Sequence, residues 1–299
     1  MEIDIEFSEQ LKRLLNKVER LLPKLPEAID WGKCLTARWR SHSFRGYLEP
    51  VKNRGGLLLK DLLGIERQKK VIDENTRQFL NGFPANNILL WGTRGSGKSS
   101  LIRALLNEYA DKGLRVIQVD KDDLVSLPEI FDEIREKPYR YLIFADDVSF
   151  ETGESSYKML KSVLDGSVFS PSDNVLIYIT SNRRHLLPEY ETDNMGVVMV
   201  NNELHHGDTV EEKISLSSRF GICIGFHPFT LEQYIEVARL WTERVAEENN
   251  VNLIWSEDAE KEALDWAHIK GERSGRVAWQ FAQQYVGKMM LDNMESKIA

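Results

Sequence analysis

Hydrophobic and polar positions follow two rhythms along the chain, and the change between them divides it. Short apolar runs suited to buried strands occupy 88–91, 115–120, 141–147, 175–180 and 222–226. Helical spacing fills the intervals. Ile65, Val71, Ile72 and Phe79 precede the first strand, a helix opens at about Lys98, LPEIFDEIREKP precedes the third strand, and another helix covers about 153–164. Strands alternating with helices predict an α/β fold with a parallel five-stranded sheet flanked by helices. After Pro228 no strand pattern recurs: 230–247, 256–270 and 274–291 each show helical periodicity with polar caps, which predicts a small C-terminal helical lid. At the opposite end Ile5, Leu11, Leu14, Leu15, Val18, Leu21 and Leu22 recur at helical spacing, with Ser8 as N-cap and Pro23 and Pro26 as the stop. This amphipathic stretch must pack on the following domain or on a neighbouring subunit. The expected divisions are an N-terminal helical, basic–aromatic extension (1–54), an α/β domain (55–227) and a lid (228–299).

Two stretches fit neither rhythm. In 31–53 Trp31, Trp39, Phe44 and Tyr47 interleave with basic residues, and over 31–60 Lys33, Arg38, Arg40, Arg45, Lys52, Arg54 and Lys60 stand against a single acid, Glu49. Three readings are open: packing within or between subunits, a docking surface for a peptide or protein, or nucleic-acid binding by stacking and charge through 31–54. In 188–214 Asp193, Asn194, Gly196, Asn201, Asn202, Gly207 and Asp208 predict a long irregular loop. His205–His206 has no Cys or His partner at ligand spacing and reads as a pair of surface histidines. Asp208–Thr209 with Glu211 and Glu212 then caps a helix.

Composition narrows the picture modestly. A net charge of −8 excludes a chain that binds nucleic acid by bulk charge. No run of about 18 apolar residues predicts a membrane span, and MEIDIEFSEQ lacks the basic-then-apolar layout of a signal peptide. Cys34 and Cys223 are the only cysteines, with Cys223 read as a small core residue. A disulfide framework is not expected, and a reducing, cytoplasmic setting is.

Chemistry concentrates behind the first strand. Gly92, Gly97, Lys98 and Ser99 satisfy G-x-x-x-x-G-K-S/T, the Walker A or P-loop pattern, in a strand–loop–helix context. Gly92, Gly95 and Gly97 allow a tight turn whose N–H groups form a concave nest for phosphate, so Gly92, Thr93, Arg94, Gly95, Ser96, Gly97, Lys98, Ser99 and Ser100 are the nucleotide-binding candidates. A helix N-terminus behind the nest adds partial positive charge. Lys98 is expected on the β- and γ-phosphates and Ser99 on Mg²⁺.

The third strand ends in Asp146–Asp147, a Walker B arrangement with Asp146 in the Mg²⁺ shell and Asp147 polarising the attacking water. Asn182, at the tip of the fourth strand, is placed to contact both the γ-phosphate and that water. Arg219, between helix and fifth strand, cannot easily reach its own nucleotide and is read as an arginine finger for a neighbouring subunit, with an intrachain salt bridge as the alternative. In the lid, Arg276 opens the last helix and could swing onto phosphate, with Arg273 as the second choice.

Together these features resemble the AAA+ ATPases over about residues 55–295. The SSRFG stretch is similar to the arginine-finger segment of bacterial replication initiators. FADDVSFE, YKMLKSVLDG, LIYITSNRRHLLPEY, EEKISLSSRFG and GERSGRVAWQF resemble an uncharacterised bacterial family, domain of unknown function 815, a set of predicted AAA+ ATPases. The resemblance implies ATP as ligand, Mg²⁺ as cofactor, ring or helical homo-oligomers, and an adenine side at Leu63, Gly64 and Ile65. The implied function is ATP hydrolysis coupled to assembly and to remodelling or loading a partner protein of unknown identity. The alternative is an ATP-gated switch with little turnover. Two departures matter: Asp147 replaces the usual glutamate, and KDDLVSLPEI (121–130) lacks the aromatic–apolar–Gly loop of threading unfoldases.

Overall fold

The computed structural model describes residues 28–41, 46–52, 56–151, 153–166, 172–184, 186, 198–200, 203–205 and 216–298, with backbone alone over 198–200, 203–205 and 295–298. A hairpin, β1 (Thr36–Arg40) and β2 (Tyr47–Val51), leads through a short 3-10 turn to α1 (Glu66–Leu80). The alternating part follows: β3 (Ile88–Gly92), α2 (Lys98–Tyr109), β4 (Leu114–Gln118), α3 (Leu127–Ile134), β5 (Arg140–Ala145), α4 (Ser155–Leu164) and β6 (Val175–Ser181). A small hairpin, β7 (Val198–Val200) and β8 (Glu203–His205), precedes β9 (Ile222–Phe226). The chain then runs through α5 (Leu231–Glu248), α6 (Glu257–Lys270) and α7 (Gly275–Ile298).

The main sheet has seven strands in the order β2–β1–β4–β5–β6–β3–β9. Every pairing is parallel except β1 with β2. Five of these strands are the expected ones, so the expected count is corrected from five to seven. The extra pair comes from the basic–aromatic segment, whose Thr36–Arg40 alternates half-buried and buried positions. Arginines at the half-buried positions hide that alternation from a hydropathy reading. Arg40 pairs with Glu49 at 2.8 Å and Arg38 donates to the Gln118 side chain at 3.1 Å. Trp31 and Trp39 are 4% and 3% exposed. They therefore pack inside the chain rather than offer faces for stacking bases. The helix expected over 5–25, together with Phe44, Arg45 and Arg54, lies outside the described residues. So does most of 188–214, where β7 and β8 replace part of the expected irregular loop.

Alternate residues of each central strand feed opposite layers. In β5, Leu142 and Phe144 join α1 and α2, while Tyr141, Ile143 and Ala145 join α3 and α4. Each Leu, Ile or Phe among them contributes about 1.5–3 kcal/mol on leaving water. Tyr234, Val237 and Ala238 of α5 and Val277 and Phe281 of α7 belong to the α1–α2 layer. The lid is thus held to the sheet domain by a shared apolar core. Cys223 is a correction: it sits exposed on edge strand β9, with its thiol donating to the Ser217 carbonyl at 3.2 Å.

One buried polar cluster fixes the entry to β3. Asn75, 2% exposed, donates to the Asn86 carbonyl (2.9 Å) and the Tyr178 hydroxyl (3.0 Å), and accepts from the Asn86 N–H (3.0 Å). Burial pushes the Tyr178 phenol up to about 12, keeping it neutral, and its hydroxyl also meets Thr76 Oγ1 at 3.0 Å. Asn75→Ala should leave both Asn86 backbone groups unpaired, and urea unfolding should show a loss of about 2 kcal/mol. Unchanged stability would mean that water replaces the amide.

Candidate active site

The turn after β3 is shaped by contacts that leave no room for side chains. Gly92 has φ 129°, and an added Cβ would stand 1.9 Å from the Phe226 carbonyl oxygen. That same oxygen accepts from the Thr93 N–H at 3.1 Å, tying the loop to β9. Lys98 opens α2 behind Gly97 and is only 7% exposed. Its ammonium donates to the Gly92 and Thr93 carbonyls at 2.8 Å each. Burial lowers its pKa, and the nearby carboxylates of Asp146 and Asp147 oppose that shift. A cation folded onto carbonyls beneath a glycine turn is available to an incoming phosphate.

The acids at the end of β5 are organised from β6. Because β6 lies between β3 and β5, its tip borders both the P-loop and the acidic pair. Thr180, 1% exposed, donates to Asp146 Oδ1 at 2.5 Å and accepts from the Asp147 N–H at 2.8 Å. Ser99 donates to the same Asp146 oxygen at 2.6 Å. Ser99 and Asp146 thus bring two hard oxygen donors together, the donor class that Mg²⁺ takes. Asp147 takes the left-handed backbone conformation, φ 53°. Its Oδ1 accepts from Asn182, and its Oδ2 lies 3.5 Å from the Arg94 guanidinium.

The lid closes directly over the phosphate loop. Gly95 has φ 71°, and a Cβ there would stand 2.7 Å from Ser274 Oγ and 3.1 Å from Arg276 Cβ. The Gly275 N–H donates to the Gly95 carbonyl at 2.9 Å. Gln233, in the capping box of α5, donates to the Gly64 carbonyl at 3.3 Å. Between lid and sheet lies a cavity of ≈ 880 Å³. Lys98, Ser99, Asp146, Asp147, Asn182 and Arg276 line it together with Leu63, Ile65, Phe229, Val237 and Trp241, and Arg244, over the Trp241 ring, adds charge with Asp61 and Glu248. The lining thus offers charged groups for the phosphates of a nucleotide and apolar and aromatic side chains for its base.

Most expected site residues therefore meet in one place. Arg94, Gly95, Ser96, Gly97 and Ser100 also line the cavity, whereas Gly92, Thr93 and Gly64 contribute carbonyls beside it. Arg273 is not among the lining residues; its carbonyl accepts from the Phe229 N–H at 3.2 Å. Arg219 is also outside the cavity lining and bonds Asp165 of the same chain, the arrangement of the salt-bridge alternative. Thr180 escaped the sequence reading although it stands two residues before Asn182. The apolar strand pattern absorbed it as one more β-branched residue. Trp241 and Phe229 escaped for a similar reason, because their spacing reads equally as lid core.

Sheet order, P-loop and lid define an AAA+ P-loop fold. The chain belongs to the family described as protein of unknown function (DUF815), whose model matches residues 32–289. Among solved structures, a mutant form of Thermotoga maritima RuvB has a TM-score of 0.54 at 16% identity, covering 80% of this chain and 68% of that one. A second Thermotoga maritima RuvB mutant has a TM-score of 0.54 at 14% identity, covering 80% and 67%. At this identity the likeness concerns the fold. No curated protein matches the sequence.

Thr180→Val keeps the shape but removes the hydroxyl shared by Asp146 and the Asp147 N–H. Thermal unfolding should show a loss of about 1–3 kcal/mol, with Thr180→Ser retaining most of the stability. Equal stability of the Val variant would remove Thr180 from the site's framework.

Proposed function

We propose that the protein is a Mg²⁺-dependent AAA+ ATPase, converting ATP and water to ADP and phosphate. The observation that carries this reading is the meeting of Lys98, Ser99, Asp146, Asp147, Asn182 and Arg276 on the lining of one cavity. Lys98 and the loop N–H groups bind and orient the phosphates, while Leu63, Gly64 and Ile65 with the lid receive the base. Bound Mg²⁺, held by Ser99 and through Asp146, would supply charge neutralisation on the phosphates. Asp147 accepts the proton of the attacking water as its oxygen approaches phosphorus, and Asn182 keeps that carboxylate oriented. Arg276 faces the phosphates from the lid and stabilises the charge that develops there.

The reading extends to a homo-oligomer with shared sites, in which Arg219 exchanges Asp165 for a neighbour's nucleotide. Hydrolysis then drives assembly and the remodelling or loading of a partner protein. Base stacking by Trp31 and Trp39 is not part of it, since both are buried. No described helix is long and apolar enough to cross a membrane. A second reading, an ATP-gated switch with little turnover, is favoured by one observation: Asp147 carries a short carboxylate already engaged by Asn182 and near Arg94.

Phosphate release by the purified protein decides between the two. Wild type should hydrolyse ATP with Mg²⁺, and Asp147→Asn should lower turnover by about 10²–10⁴ while ATP binding persists. Lys98→Ala should lose ATP binding. Tight ATP binding without any wild-type turnover would leave the switch reading standing instead. For Arg219, an Ala variant should lower hydrolysis by about 10³ or more with ATP affinity spared; unchanged turnover would assign the residue to its pair with Asp165.

A further inference from the structure

The acidic pair is held from the phosphate loop as well as from the sheet. We propose that Arg94 is a positioning residue for Asp147, fixing the carboxylate from the P-loop side opposite Asn182; this rests on the ATPase reading of the site. The side-chain oxygens have separate partners on separate elements. Oδ1 accepts from Asn182 at the tip of β6, and Oδ2 faces the Arg94 guanidinium at 3.5 Å. The backbone beneath is set independently, by the Asp147 N–H donating to Thr180 and by φ 53°. A carboxylate with few rotatable bonds, pinned at its backbone and addressed at each oxygen, is restricted to one orientation.

Energy alone does not give Arg94 this role. Both side chains are well exposed, at 68% and 57%, and such a pair contributes little to stability. What it supplies is direction. An aspartate arm is one methylene shorter than the glutamate that the AAA+ resemblance leads one to expect. A short arm has less reach with which to make up a misplaced orientation, so the partners that aim its oxygens bear directly on where they point. Arg94 is also the partner of Asp147 that rides on the phosphate loop. It precedes Gly95, on whose carbonyl the lid is docked through the Gly275 N–H at 2.9 Å. Movement of that loop or of the lid therefore reaches the Asp147 carboxylate through one side chain. Lys98 and Arg276 already offer charge to the phosphates, so Arg94 is not needed as a further phosphate ligand.

The test compares wild type, Arg94→Ala and Arg94→Lys, each also in an Asp147→Asn background. Turnover is measured with Mg²⁺ and ATP, and ATP affinity by calorimetry. Arg94→Ala should lower kcat about tenfold with Kd for ATP changed by less than about twofold. The lysine variant should recover part of that loss, and neither change should matter once Asp147 is Asn. A crystal structure of the nucleotide-free Arg94→Ala variant should show the Asp147 carboxylate turned from its wild-type orientation. A raised Kd with kcat intact would make Arg94 a phosphate ligand and overturn the assignment. So would an increased kcat, an equal loss in the Asp147→Asn background, or an unmoved carboxylate. Should wild type release no phosphate, the ATPase reading fails, while the crystal comparison still decides whether Arg94 orients Asp147.

Discussion

Insertion of β6 between β3 and β5 is the constraint on which the site depends. Were β3 and β5 neighbours, the P-loop and the acids would face each other with nothing between them to fix their relation. With β6 in place, the Thr180 hydroxyl satisfies the Asp146 carboxylate and the Asp147 N–H at once. Two residues further along, Asn182 takes an Asp147 oxygen. Parallel pairing places the C-terminal ends of the central strands at one edge of the sheet, the position at which open α/β sheets build ligand sites. The arrangement of the site is therefore a product of strand order, on a parallel sheet whose continuous apolar strands are covered on both faces.

The lid completes what the sheet begins. Its helices share the apolar layer of α1 and α2, so its position is set by packing as well as by polar contacts. Where it meets the P-loop, the fit is close enough to need glycine at position 95. A nucleotide entering the cavity would thus lie between surfaces that already touch at Gly95 and Gly275. On the proposed reading, phosphate at the loop and the first turn of α7 would adjoin the same peptide, so substrate occupancy and lid position would be coupled by this contact.

Much of this was legible in the sequence, for physical reasons. Parallel strands buried on both faces carry uninterrupted apolar runs, which is why the strands ending at Gly92, Ala145 and Ser181 were readable at nearly their observed limits. The P-loop was legible because its glycines are demanded by backbone geometry and not by packing. The edge hairpin was not, because β1 alternates buried residues with arginines that find partners in Glu49 and Gln118. Its aromatics had three open readings, and burial of Trp31 and Trp39 favours intrachain packing. Cys223 misled for the opposite reason: an apolar run on an edge strand leaves one face uncovered. The sequence also could not show that Arg219 would find Asp165, a partner that only the fold brings near.

On the proposed reading the cavity holds Mg²⁺ and ATP with Asp147 aimed at the attacking water. A crystal structure with Mg²⁺ and a non-hydrolysable ATP analogue tests it most directly. The γ-phosphate should lie on Lys98, the metal should be held by Ser99 and through Asp146, and a water should stand between Asp147 and the γ-phosphorus. A nucleotide bound elsewhere, or an Asp147 carboxylate turned away from the γ-phosphate, would contradict it.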